Sequence, residues 1–273
     1  MTTHAIPVDR ELENKHRTLW GMGDYNVIAA VVAPLGTALA AAVDIGPGVR
    51  VLDVAAGTGN AAIPAAATGA DVVATDLVPE LLEQGRATAT GRGIDLAWRT
   101  ANAEALPFDD GEFDVVLSCI GVMFAPHHQQ AADELVRVCR SGGTIGVISW
   151  TPEGFIGQLF ATMKPYVPAP PPGVSAPPLW GSAEHVTALL GDRVIELATE
   201  RRTLTVDKFA DGAAFRDYFK AFYGPTIAAY RGIAGEPERV AALDAELADL
   251  GDRYLAGTSV MGWEYLMVTA RRG

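Results

Sequence analysis

Between residues 49 and 150 the chain alternates short apolar runs with longer amphipathic stretches. The apolar runs are nearly continuous Val, Leu and Ile, which is typical of strands in a parallel sheet that helices cover on both faces. The stretches between them follow helical spacing, so that Leu135 and Val138 share one face. This pattern predicts an α/β, doubly wound fold with a mostly parallel sheet. The predicted strands are 49–55, 71–76, 94–99, 113–119 and 143–150, and the predicted helices are 60–68, 79–90 and 128–140.

Residues 1–48 form a predicted helical cap that ends at a Gly-Pro-Gly turn. Within this cap, residues 25–43 carry no charge and approach the length that spans a membrane. The stretch is mostly Ala and Val and is interrupted by Pro34 and Gly36, so we interpret it as a pair of packed helices. We therefore expect no association with a membrane.

The regular alternation ends after residue 150. Residues 164–180 are too rich in proline for a helix or a central strand, and we expect an extended, partly polyproline connector there. This connector is either a surface linker or a flap beside a substrate pocket. Beyond it the pattern predicts strands at 194–205 and 263–270 and helices at 211–222 and 236–254. We expect residues 151–273 to complete the sheet that residues 49–150 begin, so that the chain forms one domain overall.

Charge and cysteine content narrow the class of protein. The 273 residues carry a formal net charge of −12 and no basic cluster of the kind that nucleic-acid-binding proteins show. We therefore expect no nucleic-acid partner. The two cysteines, Cys119 and Cys139, have neither metal-ligand spacing nor a disulfide framework, so no metal is expected. The first residues are polar and lack the apolar core of a signal peptide. Together with the two unpaired cysteines, they predict a reducing, cytoplasmic setting.

The segment between residues 51 and 76 has the pattern of a nucleotide-binding unit: a strand, a glycine bend, a helix and a second strand that ends in an acid. Gly57 and Gly59 permit the positive φ of a sharp turn and leave the backbone bare for a ligand. Asp76 follows Gly59 by 17 residues. In a doubly wound sheet that position faces the ribose of a nucleotide. The alternative is that Asp76 caps the helix predicted at 79–90.

Two further blocks lie at strand ends: NAEALPFDDGEFDVVLS, which starts at Asn102, and LVRVCRSGG, which starts at Leu135. Together with Asp76 and with VLDVAAGTGN, which starts at Val51, they make four motifs in a fixed order. The sequence therefore resembles the class I S-adenosylmethionine-dependent methyltransferases of the type 11, or ubiquinone/menaquinone-biosynthesis-like, family. The resemblance implies a seven-stranded Rossmann-like sheet with an antiparallel last strand, helices inserted near the C-terminus, and S-adenosyl-L-methionine as cofactor.

The resemblance also assigns cofactor contacts. The backbone of residues 55–59 would hold the methionine part, Asp53 would brace this bend, and Leu77 would pack on the adenine. Asn102 stands where the family usually has Asp, and its carbonyl oxygen can also accept from the adenine amino group. Tyr25 either closes over the site or belongs to the core. The residues expected at the cofactor are Asp53, Ala55, Gly57, Thr58, Gly59, Asp76, Leu77, Asn102, Ala103, Ser118, Cys119 and Tyr25.

Methyl transfer is an in-line displacement, for which a protein mainly aligns the acceptor and excludes water. A general base helps when the acceptor is a hydroxyl or a protonated amine. His127 and His128 follow the fourth predicted strand and are candidate catalytic bases, with a solvated helix start as the alternative. No role is expected for His4 or His16. The candidate walls of an apolar acceptor pocket, or else core residues, are Met123, Phe124, Phe222 and Tyr223.

The sequence thus favours an enzyme that methylates a small, apolar or aromatic metabolite at O, N or C. One alternative is a methyltransferase that acts on a peptide or protein. Another is an NAD-linked oxidoreductase on the same sheet, because Ala62 at the third position of the glycine pattern does not exclude NAD. The last alternative is a module that binds the cofactor without catalysis.

Overall fold

The computed structural model describes residues 10–273, which contain one seven-stranded sheet. Its strands are β1 (Arg50–Val54), β2 (Asp71–Asp76), β3 (Ala97–Thr100), β4 (Phe113–Cys119), β5 (Cys139–Trp150), β6 (Val194–Val206) and β7 (Met261–Arg272). Their order across the sheet is β3-β2-β1-β4-β5-β7-β6, and β7 runs antiparallel to both of its neighbours. The predicted doubly wound, mostly parallel fold with an antiparallel last strand is confirmed. His4 and the rest of the predicted cap before Arg10 lie outside the described residues.

The central strands are buried on both faces, as their apolar runs require. Val51, Leu52 and Val54 of β1 have no exposed surface. β1 pairs in parallel with β2 on one side and with β4 on the other. The carboxyl ends of β1, β2 and β4 therefore meet at one edge of the sheet, which is where open α/β sheets bind ligands.

Ten α-helices surround the sheet in the described part of the chain. They are α1 (Arg10–Trp20), α2 (Tyr25–Ala41), α3 (Ala62–Ala67), α4 (Pro79–Gly91), α5 (His128–Val138), α6 (Phe155–Met163), α7 (Ala183–Leu190), α8 (Gly212–Phe222), α9 (Gly224–Gly232) and α10 (Pro237–Leu255). α8, α9 and α10 are inserted between β6 and β7, as the resemblance implies. The hydrophobic pattern does not predict α6, α7 or α9, which are all short.

The interpretation of residues 25–43 as two packed helices is wrong, because α2 is one continuous helix with Pro34 inside it. Proline removes one backbone donor and normally breaks a helix. Here Leu35 and Leu39 are buried against the sheet, and this packing offsets the lost hydrogen bond. Gly36 also serves packing rather than a break, since a Cβ at this position would clash with the backbone of the loop before α3.

No single helix between residues 10 and 273 is long and apolar enough to cross a bilayer. α1 and α2 meet the length and composition requirement only when they are taken together, and they meet at an angle of 90°.

Two predicted boundaries shift for reasons of tertiary structure. The predicted helix 128–140 ends at Val138, because Cys139 already pairs with Phe113 of β4. The predicted strand 94–99 begins only at Ala97, where its pairing with β2 begins.

The proline-rich residues 164–180 are irregular, as expected, but they are tethered to the fold. They include two short 3-10 turns, Lys164–Tyr166 and Pro177–Gly181. Trp180 is fully buried, and the Ser175 N–H donates to the carbonyl oxygen of Pro126 at 2.9 Å. The segment therefore lies against the loop that leads into α5.

Aromatic rings connect the inserted helices to the sheet and to α1. Phe219 of α8 contacts the ring of Trp263 on β7, with 5.9 Å between centroids. Tyr223, directly after α8, contacts Phe219 at 5.2 Å and Trp20 of α1 at 5.9 Å. This chain of rings fixes the end of α1 above the carboxyl edge of the sheet.

Candidate active site

One cavity of about 1040 Å³, counted out to its open mouth, lies at the carboxyl ends of β1, β2 and β4. The floor is the bend after β1, and the roof is α1 with the first turn of α2. The residues expected from sequence that line it are Tyr25, Ala55, Gly57, Thr58, Asp76, Leu77, Asn102, Ala103, Cys119, Phe124 and His127.

The two glycines of the bend do different things. Gly57 (φ 56°) faces the cavity, and a Cβ there would meet only the ring of Tyr25, at 3.4 Å. Gly59 (φ 86°) does not line the cavity, and a Cβ there would be only 2.7 Å from the ring of Trp98. Gly57 therefore leaves backbone bare for a ligand, whereas Gly59 permits close packing.

Two non-glycine residues in the cavity wall have positive φ. These are Ala55 (φ 54°) after β1 and Ile120 (φ 61°) after β4. Such a conformation costs about 1–3 kcal/mol for an ordinary residue and is concentrated at functional sites. Between them Gly121 allows the two loops to touch, because a Cβ at Gly121 would clash with the carbonyl oxygen of Ala55.

Asp76 joins the bend to the start of α4. One carboxylate oxygen accepts from the Gly57 N–H at 2.8 Å, and the other accepts from the Val78 N–H at 2.9 Å. Burial raises the pKa of Asp76, and these backbone donors oppose the shift. Each oxygen still has a free lone pair, and Asp76 lines the cavity. The N-cap of α4 is Val78, which makes no side-chain cap hydrogen bond, and Asp76 binds the N–H of Val78 rather than one in the first helical turn. The capping alternative is therefore not supported, whereas the free lone pairs are compatible with the ligand-binding interpretation.

Asp53 and Ser118 lie beneath the cavity rather than in its wall. The Asp53 carboxylate is 1% exposed and has no hydrogen-bond partner within the described residues. Burial raises the pKa of Asp53 to about 8, and the nearby Ala62 N–H, outside hydrogen-bond geometry, opposes this only in part. The Ser118 hydroxyl donates to Val54 O at 2.7 Å and accepts from the Val122 N–H at 2.9 Å, so its role is to fix the end of β4.

Asn102 connects the loop after β3 to the roof of the cavity. Its carbonyl oxygen accepts from the Glu104 N–H at 2.9 Å, and its amide donates to Glu13 of α1 at 3.2 Å. Tyr25 is in edge-to-face contact with Trp20, at 5.7 Å between centroids. Burial raises the pKa of the Tyr25 phenol far above its usual value, so the ring is a neutral wall beside Gly57.

The candidate acceptor residues separate into two groups. Phe124 lines the cavity, and its ring lies 4.5 Å from that of Trp20. Met123 and Tyr223 are buried in the core, and Phe222 packs on Tyr218 outside the cavity. For these three the core-packing alternative holds.

The two adjacent histidines face opposite directions. His127 lines the cavity, with its Nδ1 3.1 Å from the Glu104 carboxylate. His128 is buried, with Nδ1 3.0 Å from His185 Nε2 and Nε2 3.2 Å from Met123 O. Burial lowers the pKa of His128 to about 4. The assignment of His128 as a base that faces the acceptor is not supported, because both of its ring nitrogens are engaged within the fold.

The predicted helical cap does cover the site, but the sequence predicts no role for Leu12, Glu13 or His16 of α1. Leu12, His16 and Trp20 all line the cavity, together with Glu13. The signal was present in the chain, because positions 12, 16 and 20 share one face of a helix. The part of the chain described, residues 10–273, contains no group of three or more His, Cys, Asp or Glu residues suited to a metal ion.

The same features occur in known proteins. Residues 52–147 match the family described as a methyltransferase domain. An uncharacterized protein of Mycobacterium tuberculosis is 55% identical over 274 aligned positions, which cover 100% of both chains. The demethylmenaquinone methyltransferase of Thermus thermophilus is 39% identical over 115 residues, which cover 41% of this chain and 52% of that one.

A solved structure gives the same fold. The geranyl diphosphate methyltransferase in complex with S-adenosylmethionine superimposes with a TM-score of 0.53, covering 94% of this chain and 95% of that one. At 17% identity this likeness concerns the fold alone. The sheet order, the glycine bend with Asp76 and the matched segment agree, and the chain belongs to the type 11 family of class I S-adenosylmethionine-dependent methyltransferases, with S-adenosyl-L-methionine as its cofactor.

Proposed function

We propose that this methyltransferase acts on a small, largely apolar or aromatic molecule held between Phe124 and α1. The observation that carries the proposal is the single cavity wall shared by the bend, Asp76 and the rings of Trp20 and Phe124. Because α1 covers the site, a small molecule fits it better than a segment of polypeptide does. An apolar wall with few polar groups is usual for such sites.

The residues present fit the cofactor. The bare backbone at Gly57 suits close approach of the methionine part, and Asp76 offers free lone pairs to two ribose hydroxyls. Leu77 and Ala103 supply apolar surface for the adenine. When bound, S-adenosylmethionine supplies the activated methyl group and the leaving group. The protein binds and orients both partners, and α1 excludes water from the space between them.

Calorimetry on the full chain tests the cofactor half of this proposal. We expect S-adenosylmethionine and S-adenosylhomocysteine to bind and NAD to give no heat. Binding of NAD alone would favour the oxidoreductase alternative.

A labelling experiment tests the acceptor. The full chain is incubated with S-adenosylmethionine that carries a radioactive methyl group and with a bacterial extract, and the extract is then separated into small molecules and protein. We expect the label among the small molecules, in an amount that falls with Asp76→Ala. Label only in the protein fraction would favour the peptide or protein alternative.

A further inference from the structure

A carboxylate and two imidazoles meet in the wall of the acceptor side of the cavity. Glu104 comes from the loop after β3, His127 from the start of α5, and His16 from α1. The Glu104 side chain is only 7% exposed, and that of His127 is 33% exposed. A nearly buried carboxylate beside a half-open imidazole is the arrangement that general bases use.

Glu104 directs both of its oxygens at one residue. One oxygen accepts from the backbone N–H of His127 at 2.6 Å, and the other lies 3.1 Å from His127 Nδ1. A carboxylate facing Nδ1 favours the tautomer in which Nδ1 carries the hydrogen. Nε2 of His127 then has the free lone pair, on a ring that lines the cavity.

The position of Glu104 is itself fixed. Its backbone N–H donates to Asn102 Oδ1 at 2.9 Å. The neighbouring loop is held through Glu134 of α5, whose carboxylate accepts from the Leu106 N–H at 2.6 Å. The carboxylate therefore holds the His127 ring at a defined angle rather than sampling solvent.

His16 lies close enough to Glu104 and His127 for their charges to affect its pKa. Burial lowers the pKa of His16, the Glu104 charge opposes this shift, and His127 adds to it. A neutral His16 does not compete with His127 for the negative charge of Glu104.

Apolar rings face this polar group across the same cavity. Trp20 and Phe124 meet edge to face, with 4.5 Å between centroids, and form an apolar aromatic corner. An enolate or thiolate already carries the electron pair that attacks, whereas a neutral hydroxyl must lose its proton to attack well. An apolar aromatic corner beside an oriented base suits an acceptor that has both an aromatic ring and a hydroxyl group.

Resting on the proposed function, we infer that the acceptor is a hydroxyl group on an aromatic molecule, that His127 accepts its proton, and that Glu104 positions His127. The hydroxyl proton goes to Nε2 of His127. The oxygen lone pair forms a bond to the methyl carbon as the carbon–sulfur bond breaks, and that electron pair stays on sulfur as a neutral thioether. His127 leaves the step as an imidazolium beside the Glu104 carboxylate and then releases its proton to water.

The first test reads the tautomer of His127 by ¹⁵N NMR on the full chain. We expect the hydrogen on Nδ1 in the wild type, and a mixture of tautomers in Glu104→Gln, which keeps the shape of the side chain and removes its charge. Glu238→Gln, an exposed change on α10, is the matched control and leaves the tautomer as it is. A wild-type His127 with its hydrogen on Nε2 would overturn the assignment.

The second test uses 4-nitrophenol as a probe, because its ionised form absorbs visible light. The full chain is saturated with S-adenosylhomocysteine, at a pH at which the free probe is mostly neutral. We expect the bound probe to show at least threefold more phenolate than the free probe. His127→Gln should abolish this excess and Glu104→Gln should reduce it, whereas His185→Gln, a histidine change outside the cavity, should preserve it.

Each other result contradicts the inference. A probe that stays neutral when bound, or an excess that survives His127→Gln, excludes His127 as the proton acceptor, and an unchanged excess in Glu104→Gln excludes the positioning role. A probe that does not bind excludes an aromatic hydroxyl. In every case the affinity for S-adenosylmethionine, measured on the same variants before S-adenosylhomocysteine is added, shows separately whether the proposed function holds.

Discussion

The two halves of the cavity are built in different ways. Most of the cofactor half comes from one short segment, residues 53–77, whose strands pair in register and whose bend is held by hydrogen bonds. Asn102, Ala103 and Cys119 join it from the ends of the neighbouring strands. The acceptor half joins α1, the loop around Glu104 and residues 120–127, which are far apart in the chain. α1 contains no buried residue and reaches the sheet edge through side chains such as Glu13. Most of the cofactor half is thus a local structure, whereas the acceptor half exists only after the helices have packed.

The largest expected effect concerns the unpaired carboxylate under the cofactor half. The pKa of Asp53 is about 8 in the folded chain, against 3.8 for the ordinary group. Between these values the unfolded chain is ionised and the folded chain is not, so stability falls as pH rises through this window and is unaffected below it. Asp53→Asn should therefore stabilise the chain at pH 7 by an amount on the order of 4 kcal/mol.

Urea unfolding at pH 7 and pH 4, without cofactor, measures this effect. The gain should nearly vanish at pH 4, and Asp95→Asn, an exposed acid, should show none at either pH. An Asp53→Asn variant less stable than the wild type at pH 7 would show that the carboxylate is stabilised in the fold.

The next largest effect is expected from Asp76→Ala, which tests whether Asp76 binds the ribose. Asp76→Ala removes charged hydrogen bonds worth about 1.5–3 kcal/mol, so the affinity for S-adenosylmethionine should fall at least tenfold. Calorimetry measures the change, and circular dichroism checks that the fold is retained. Asp95→Ala should bind as the wild type does, and equal affinity in Asp76→Ala would remove this residue from the site.

Phe124→Ala should separate the two halves. Loss of its edge-to-face contact and apolar surface should weaken the binding of 4-nitrophenol about fivefold, or about 1 kcal/mol. The affinity for S-adenosylmethionine should change less than twofold. Phe222→Ala changes an aromatic residue outside the cavity and is the control for probe binding. If probe affinity fell in Phe222→Ala but not in Phe124→Ala, the acceptor site would lie elsewhere.

The smallest effect concerns the contact between α1 and the loop after β3. Glu13→Gln weakens the hydrogen bond to Asn102, worth about 0.5 kcal/mol at a partly exposed site, and an ion pair with Arg17 within α1. Dissociation of S-adenosylmethionine, followed by stopped-flow fluorescence, should become two- to threefold faster. Glu11→Gln on the same helix should leave it unchanged, and a tenfold effect of Glu13→Gln would show that α1 binds the cofactor more directly.

The difference between the two halves also explains which features could be predicted from the sequence. The bend, the second strand and Asp76 follow from local rules, since glycine conformation and strand period act over a few residues. The different roles of Gly57 and Gly59 do not, because the neighbour that crowds Gly59 is Trp98, on another strand.

The orientation of side chains and the bounds of helices around the acceptor half depend on tertiary packing. His127 and His128 are adjacent at a helix start, and His128 turns inward to contact His185 of α7 and the carbonyl oxygen of Met123. α2 continues through Pro34 because its buried face packs on the sheet. Neither outcome is set by local propensity, which tertiary contacts routinely override.

A crystal structure of the full chain with S-adenosylhomocysteine tests the central claim most directly. We predict both ribose hydroxyls within hydrogen-bond distance of the Asp76 carboxylate, the amino-acid part against the backbone at Gly57, and the sulfur facing Phe124 and His127. A ribose bound away from Asp76, or a ligand outside this cavity, would contradict the account.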